Sequence, residues 1–212
     1  MRRTEFQIDS DGGREEIERF LAEMSFGFLG TAGADGAPSM TPLNYVYYGG
    51  KLYFHGSRIG EKMARLQADP RVTFMVAKEF AIIPSYFTDP LMACPATAYF
   101  KSVRIDGRAV VVQEPAEKAA ALEAFMRKLQ PEGGYKTIDA SDPDYLPRLK
   151  GVAVVRIDPD RVTGKFKFGQ NLKQPVRDSV TAQLTERGLP LDAETAALME
   201  RYCPHAKGIL GD

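Results

Sequence analysis

The sequence predicts a mainly β protein with added helices, a closed or split antiparallel barrel whose ends are plugged by helices. Three observations predict it. Stretches with strand character outnumber helical ones in the central part of the chain. Tight-turn chemistry, Asp35-Gly36 and then Gly49-Gly50, joins consecutive strands, so they run as meanders. The helical stretches carry apolar residues on one side, as helices do when they cover a sheet.

Residues 11–24 read as the first helix. Ser10 or Asp11 can cap it, and Ile17, Phe20, Leu21 and Met24 share one face. Phe26 to Ala32 is short, apolar and glycine-rich, a strand. Ser39 to Tyr48 resumes extended character after the turn at 33–36, and Lys51 to His55 is the next strand, with Leu52 and Phe54 on one face and Tyr53 and His55 on the other. Residues 58–68 return to a helical period through Ile59, Met63 and Leu66, and Asp69-Pro70 ends that helix. Arg71 to Ala77 is a strand. Residues 80–95, with Pro84 and Pro90, read as a long irregular segment, the place for a substrate lid. Residues 96–112 are a long β stretch that Asp106-Gly107 interrupts as a hairpin turn or a bulge. Pro115 opens a helix whose buried face is Leu122, Phe125, Met126 and Leu129. A polar loop fills 131–150. Val152 to Ile157 and Arg161 to Phe168 read as two further strands. Helices over about 176–187, with Gly188 as C-cap, and from Asp192 to near Tyr202 complete the chain.

Composition limits the function. The 212 residues are 44% hydrophobic and 26% charged, with 28 basic and 28 acidic residues. That balance gives no bulk attraction to nucleic acid, and no nucleic-acid partner is expected. The two cysteines, Cys94 and Cys203, form no disulfide framework and no CxxC pair, so two reduced thiols in the cytoplasm are expected. No apolar signal core opens the sequence and no run approaches the length of a membrane span. With two histidines, no metal site is expected. The dinucleotide GxGxxG, the Walker A loop, HExxH and GxSxG are all missing.

The informative stretch is 38–76. A strand ends at His55-Gly56-Ser57 and a helix begins a few residues later. A helix N-terminus offers unpaired N–H groups and partial positive charge, which suits phosphate. Gly56 permits close backbone approach, Ser57 can donate a hydroxyl, His55 can donate from its ring, and Arg58 and Lys62 bring full charges. On the neighbouring strand Pro42 has no N–H, which suggests an edge position or a non-strand neighbour. A flat hydrogen-bonding ring could use the free groups of Thr41, Leu43 and Asn44.

The stretch TPLNYVYYGGKLYFHGSRIGEKMARLQADPRVTF, residues 41–74, resembles the FMN-binding segment of the pyridoxamine 5'-phosphate oxidase-like proteins. Its style is that of the subgroup with the 5-nitroimidazole-resistance reductases. CPATAYFKSVRIDGRAVVV, residues 94–112, is similar to a second signature of that subgroup, and GKFKFGQN, residues 164–171, is similar to a C-terminal segment of FMN-binding regulators of the same fold. The resemblance implies a six-stranded antiparallel split β-barrel with flanking helices and a homodimer with FMN at the subunit interface. It implies a cofactor-binding domain over 1–171 and a C-terminal helical extension over 172–212. Carried over by position, it implies that Thr41, Pro42, Leu43 and Asn44 lie along the flavin ring, with His55, Gly56, Ser57 and Lys62 at the phosphate. Lys101, Ser102 and Val103 would stand near the ring edge, with the partner subunit as one source, and Lys167, Gln170 and Asn171 would close the site.

True pyridoxamine-phosphate oxidases have an arginine–glutamine pair where this chain has Lys101-Ser102, and a tryptophan near the C-terminus where this chain has none. Vitamin B6 oxidation is therefore not implied. The expected activity is that of an FMN-dependent oxidoreductase passing electrons from NAD(P)H or another donor to a small organic acceptor, with the flavin doing the redox chemistry and no protein acid or base assigned. The alternatives are a non-catalytic FMN- or haem-binding regulator and a reductase using the deazaflavin F420.

Overall fold

The computed structural model describes residues 7–9 and 13–203. In chain order they form β1 (Gln7–Asp9), α1 (Arg14–Glu23), β2 (Phe26–Ala32), β3 (Pro38–Asn44), β4 (Val46–Tyr48), β5 (Lys51–Gly56), α2 (Glu61–Ala68), β6 (Arg71–Ile83), a 3-10 turn (Ser85–Phe87), β7 (Thr97–Val111), α3 (Pro115–Leu129), α4 (Leu146–Gly151), β8 (Ala153–Lys167), α5 (Gln174–Arg187) and α6 (Asp192–Arg201). The strands join in the order β3-β2-β6-β7-β8-β5-β4, with β1 added on β8. The β1–β8, β2–β3, β2–β6, β4–β5 and β5–β8 pairs are antiparallel.

The expected mainly β architecture is present, but the six-stranded barrel is corrected to an eight-stranded sheet that does not close among the described residues. Part of the reason is Tyr45. The stretch 39–48 breaks there into β3 and β4, because Tyr45 turns fully inward, its N–H donating to Ser25 O at 3.1 Å and its hydroxyl to Leu21 O at 2.9 Å. Two expected strands, 152–157 and 161–168, are instead one continuous β8. Asp106-Gly107 makes no turn, since β7 runs through it. A Cβ on Gly107 would stand 2.3 Å from Asp158 O, so glycine serves here to let two backbones touch.

The chain divides into two units. One is built from Glu15–Val76 and Arg104–Val162. In it α1 buries Ile17, Phe20 and Leu21 as expected; Ser10 and Asp11, its expected caps, lie outside the described residues. The helix expected over 58–68 begins only at Glu61. Gly60 has φ 115°, a conformation no helix residue adopts, and Ile59 is left exposed. α3 buries Lys118, Ala119, Ala121 and Phe125, while Leu129, expected inside, is exposed. Lys118 is buried because its ammonium donates to Leu149 O and Val152 O at the C-terminal end of α4, a helix inside the expected loop 131–150. Val46, Tyr53, Val112, Ala121, Phe125 and Val154 form one apolar cluster.

The other unit is built, among the described residues, from 7–9, 13–14, Ala77–Val103 and 163–203. Its core gathers Phe80, Phe87, Tyr99, Phe166, Phe168, Val180, Leu184 and Met199. The segment 80–95 is less irregular than expected: β6 continues to Ile83, and the 3-10 turn buries Phe87. α5 pins it, with Gln183 donating to Phe87 O at 2.9 Å and Arg187 to Ile82 O at 2.8 Å. Gly188 caps α5 as expected, donating to Leu184 O.

Candidate functional site

β3 pairs with β2 on one side and ends the strand order, which is the edge position that Pro42 implied. Within the same unit β3 passes close to β5, yet no ladder joins them. Backbone groups of β3 turned away from β2 therefore have no strand partner among the described residues. Thr41 and Leu43 are half-buried and Pro42 and Asn44 exposed. Asn44 donates its side-chain amide to Ser25 O at 3.0 Å, so its carboxamide oxygen is the group left available.

At the C-terminal end of β5 the expected phosphate groups converge. His55 and Gly56 pair with Val154 and Ala153 of β8, which fixes their backbone. Lys62, on the first turn of α2, reaches back so that its ammonium lies 5.1 Å from the Phe54 ring centroid and 3.5 Å from where a Cβ on Gly56 would stand. Gly56 thus leaves the ammonium room against bare backbone. Among the described residues no carboxylate pairs with Lys62, and burial holds its pKa below the usual lysine value. The His55 ring packs edge-on against Phe125, 4.9 Å between centroids at 89°. Its outer side is open to solvent, but the packed inner side, and then the Lys62 charge, hold its pKa below 6.5. At neutral pH the ring is uncharged and can donate one N–H.

Ser57 and Arg58 are placed otherwise. Ser57 Oγ accepts from Ile59 N at 3.2 Å, closing its own loop, although its hydroxyl hydrogen stays free to donate. Arg58 donates to Lys150 O at 2.9 Å, which commits it to the end of α4. The cation that stands at Gly56 is Lys62.

The remaining candidates belong to the other unit. Period-two alternation turns Tyr99, Lys101 and Val103 inward on β7, so Lys101 and Val103 are buried. The Lys101 ammonium sits over aromatic rings, 5.3 Å from the Phe166 centroid, 5.5 Å from Phe80 and 6.0 Å from Tyr202. Ser102 Oγ donates to Lys165 O at 3.5 Å, a long contact. Gln170 accepts from Phe168 N at 2.7 Å and donates to Phe166 O at 2.6 Å, so its amide holds backbone. Lys167 contacts the Thr97 hydroxyl, and Asn171 is exposed.

Sequence reasoning missed the outer face of β2, β3 and β6. Phe28 stands between Pro42 and Met75 in register, Gly30 stands opposite Met40, and Phe26 lies two residues along. Phe26, Phe28, Met40 and Met75 are 38–60% exposed, and the two phenylalanines pack edge-to-face at 6.1 Å. These side chains form a contiguous exposed apolar face. The signal was present, since Phe26 and Phe28 fall on the face opposite Leu29 and Thr31.

Comparison with known proteins identifies the fold and the family. No curated relative matches the chain by sequence. Several solved structures share its fold. A candidate 5-nitroimidazole antibiotic resistance protein of Bacteroides thetaiotaomicron aligns at TM-score 0.59 and 22% identity over 75% of this chain and 86% of its own. A flavocytochrome of Azotobacter vinelandii aligns at 0.65 and 20%, over 80% of this chain and 73% of its own. An FAD- and haem-binding protein of Mycobacterium smegmatis aligns at 0.58 and 18%, over 77% and 74%. The pyridoxamine 5'-phosphate oxidase family model matches residues 13–166, a span that holds every strand from β2 to β7 and nearly all of β8, together with the Gly56–Lys62 junction. The chain belongs to the pyridoxamine 5'-phosphate oxidase family.

Proposed function

We propose that the protein is an FMN-dependent oxidoreductase that passes electrons from NAD(P)H or another donor to a small organic acceptor. The observation that carries this reading is the Lys62 ammonium, which has no acid partner among the described residues and is held on the Phe54 ring against Gly56. A partly buried cation without a counter-charge fits an anion. The ring N–H of His55, the Ser57 hydroxyl and the first N–H groups of α2 add donors at the same place. Together they would hold a phosphate, while the free edge of β3, from Thr41 to Asn44, would carry the polar rim of the ring. FMN supplies hydride chemistry when bound; this chain's residues bind it, orient it and keep water from its inner face.

The reading extends to a homodimer in which the face of Phe26, Phe28, Met40, Pro42 and Met75 is covered by a second copy. Residues 1–171 form the cofactor-binding part and 172–212 an addition to it. No helix among the described residues is long and apolar enough to cross a membrane. The free thiols of Cys94 and Cys203 favour a cytoplasmic setting.

Releasing the chromophore of the purified protein and weighing it tests the reading directly, because FMN, FAD, F420 and haem differ in mass. The expected result is FMN. Lys62→Ala is expected to weaken FMN about 10–100-fold while leaving riboflavin, which has no phosphate, nearly unchanged. A protein that purifies colourless and binds no added FMN refutes the proposal.

A further inference from the structure

A second site lies in the α5–α6 hairpin, beyond the residues that the family model matches. Gln174, Arg177, Asp178, Thr181 and Ala182 follow one face of α5 at helical spacing. With Glu200 and Cys203 at the end of α6 they line a cleft of about 530 Å³. Its size suits a small organic ligand.

Arg177 is the unusual member. Only 3% exposed, it donates from one terminal nitrogen to Met199 O at 2.8 Å and from the other to Gly169 O at 3.0 Å. Its Nε–H has no acceptor. The two carbonyls, one of them in the last turn of α6, supply partial negative charge. Among the described residues no carboxylate pairs with the guanidinium. The Nε atom itself is closed off from solvent, so what a ligand in the cleft can meet is the second N–H of each terminal nitrogen, on a cation with no counter-charge among the described residues.

The rest of the lining decides which anion. Asp178 and Glu200 also face the cleft, and their charges would repel a phosphate or a dicarboxylate. Asp178 already accepts from Gln174 at 2.7 Å, whereas the Glu200 carboxylate is exposed and has no partner among the described residues. A ligand with one negative and one positive end satisfies both sides. We propose that the α5–α6 cleft binds a small zwitterion of the amino-acid class, its carboxylate on Arg177 and its ammonium on Glu200. The site does not depend on the flavin reading.

Titration of the full-length protein, followed by amide NMR shifts in α5 and α6, tests this with three probes: L-alanine, acetate and ethylammonium. Alanine is expected to saturate in the millimolar range, with either single-charge probe about tenfold weaker or worse. Glu200→Gln, an exposed change, is expected to weaken alanine about tenfold with an unchanged melting temperature. Arg177→Lys is expected to abolish saturation; because Arg177 also holds two carbonyls, Glu200→Gln is the variant that decides if the hairpin unfolds. No saturable shift with alanine overturns the proposal. So does acetate binding as tightly as alanine, or Glu200→Gln binding as wild type.

Discussion

His55 shows how one residue's surroundings set its chemistry. Burial of its inner side and the Lys62 ammonium both disfavour the charged ring, so the folded pKa lies below the unfolded 6.5. Well above pH 6.5 the ring is neutral in both states and the linkage is silent. As pH falls below 6.5 the unfolded chain takes up the proton first, so stability declines until folded His55 also protonates. Proton NMR titration, with His55→Gln to assign the signal, is expected to give a midpoint below 6.5. Lys62→Met should move it part of the way back, since burial is the larger cause; a midpoint at or above 6.5 in the wild type would contradict the geometry. Much of this corner was legible in the sequence, because Gly56, Ser57 and Lys62 are close along the chain and a strand-to-helix junction is a local event. The roles of Phe54 and Phe125 were not, because packing under an ammonium or against an imidazole is set by tertiary contact. The burial of Lys101 among aromatic rings was legible too. Its neighbours Tyr99 and Val103 share its parity on β7, and that parity alone predicts an inward side chain.

Among the elements, the α5–α6 turn carries a two-fold hydrogen-bonded ion pair whose carboxylate is buried. Asp192, 1% exposed, accepts from Arg187 through both oxygens, at 2.6 and 2.8 Å, and from Leu189 N at 2.9 Å. Arg187 also donates to Ile82 O and lies 5.4 Å from the Phe87 ring centroid, so one guanidinium joins the helical hairpin to the end of β6. Asp192→Asn is expected to cost about 3 kcal/mol, because it leaves a half-buried guanidinium without its charge partner. The urea midpoint at neutral pH measures that loss. The Arg187 hydrogen bonds hold the Asp192 pKa below its usual 3.8. The contribution is therefore present above pH 3.8 and fades as pH falls through the lower folded value, so wild type and variant should converge in acid. Helices with a one-sided apolar stripe were read well from the sequence, since that stripe is a strong local signal; the short α4, which buries Leu149 alone, has no such stripe and was missed. Strand limits were read less well. β6 and β8 each run past the place where the apolar pattern weakens, because a ladder with neighbours extends a strand that its own residues do not demand.

For the molecule as a whole, the exposed face of β2, β3 and β6 argues for self-association. Phe28 projects outward, so Phe28→Glu should leave the far-ultraviolet circular dichroism unchanged. It is expected to weaken a dimer at least 100-fold, about 3 kcal/mol. Sedimentation velocity on wild type and variant tests this, and a wild-type monomer at micromolar concentration would remove the homodimer from the reading. The sequence could show alternation in each strand but not which strands adjoin, and the patch exists only because β2 has neighbours on both sides. A last consequence follows from β1, whose partners on β8 run from Thr163 to Lys165. During synthesis this N-terminal segment emerges about 160 residues ahead of the stretch it must meet. At ribosomal speed that is a wait of roughly 8–30 seconds, during which its amides face only water or a chaperone. β1 is thus among the last strands to find its partner, and a ribosome stalled before residue 163 would present it unpaired.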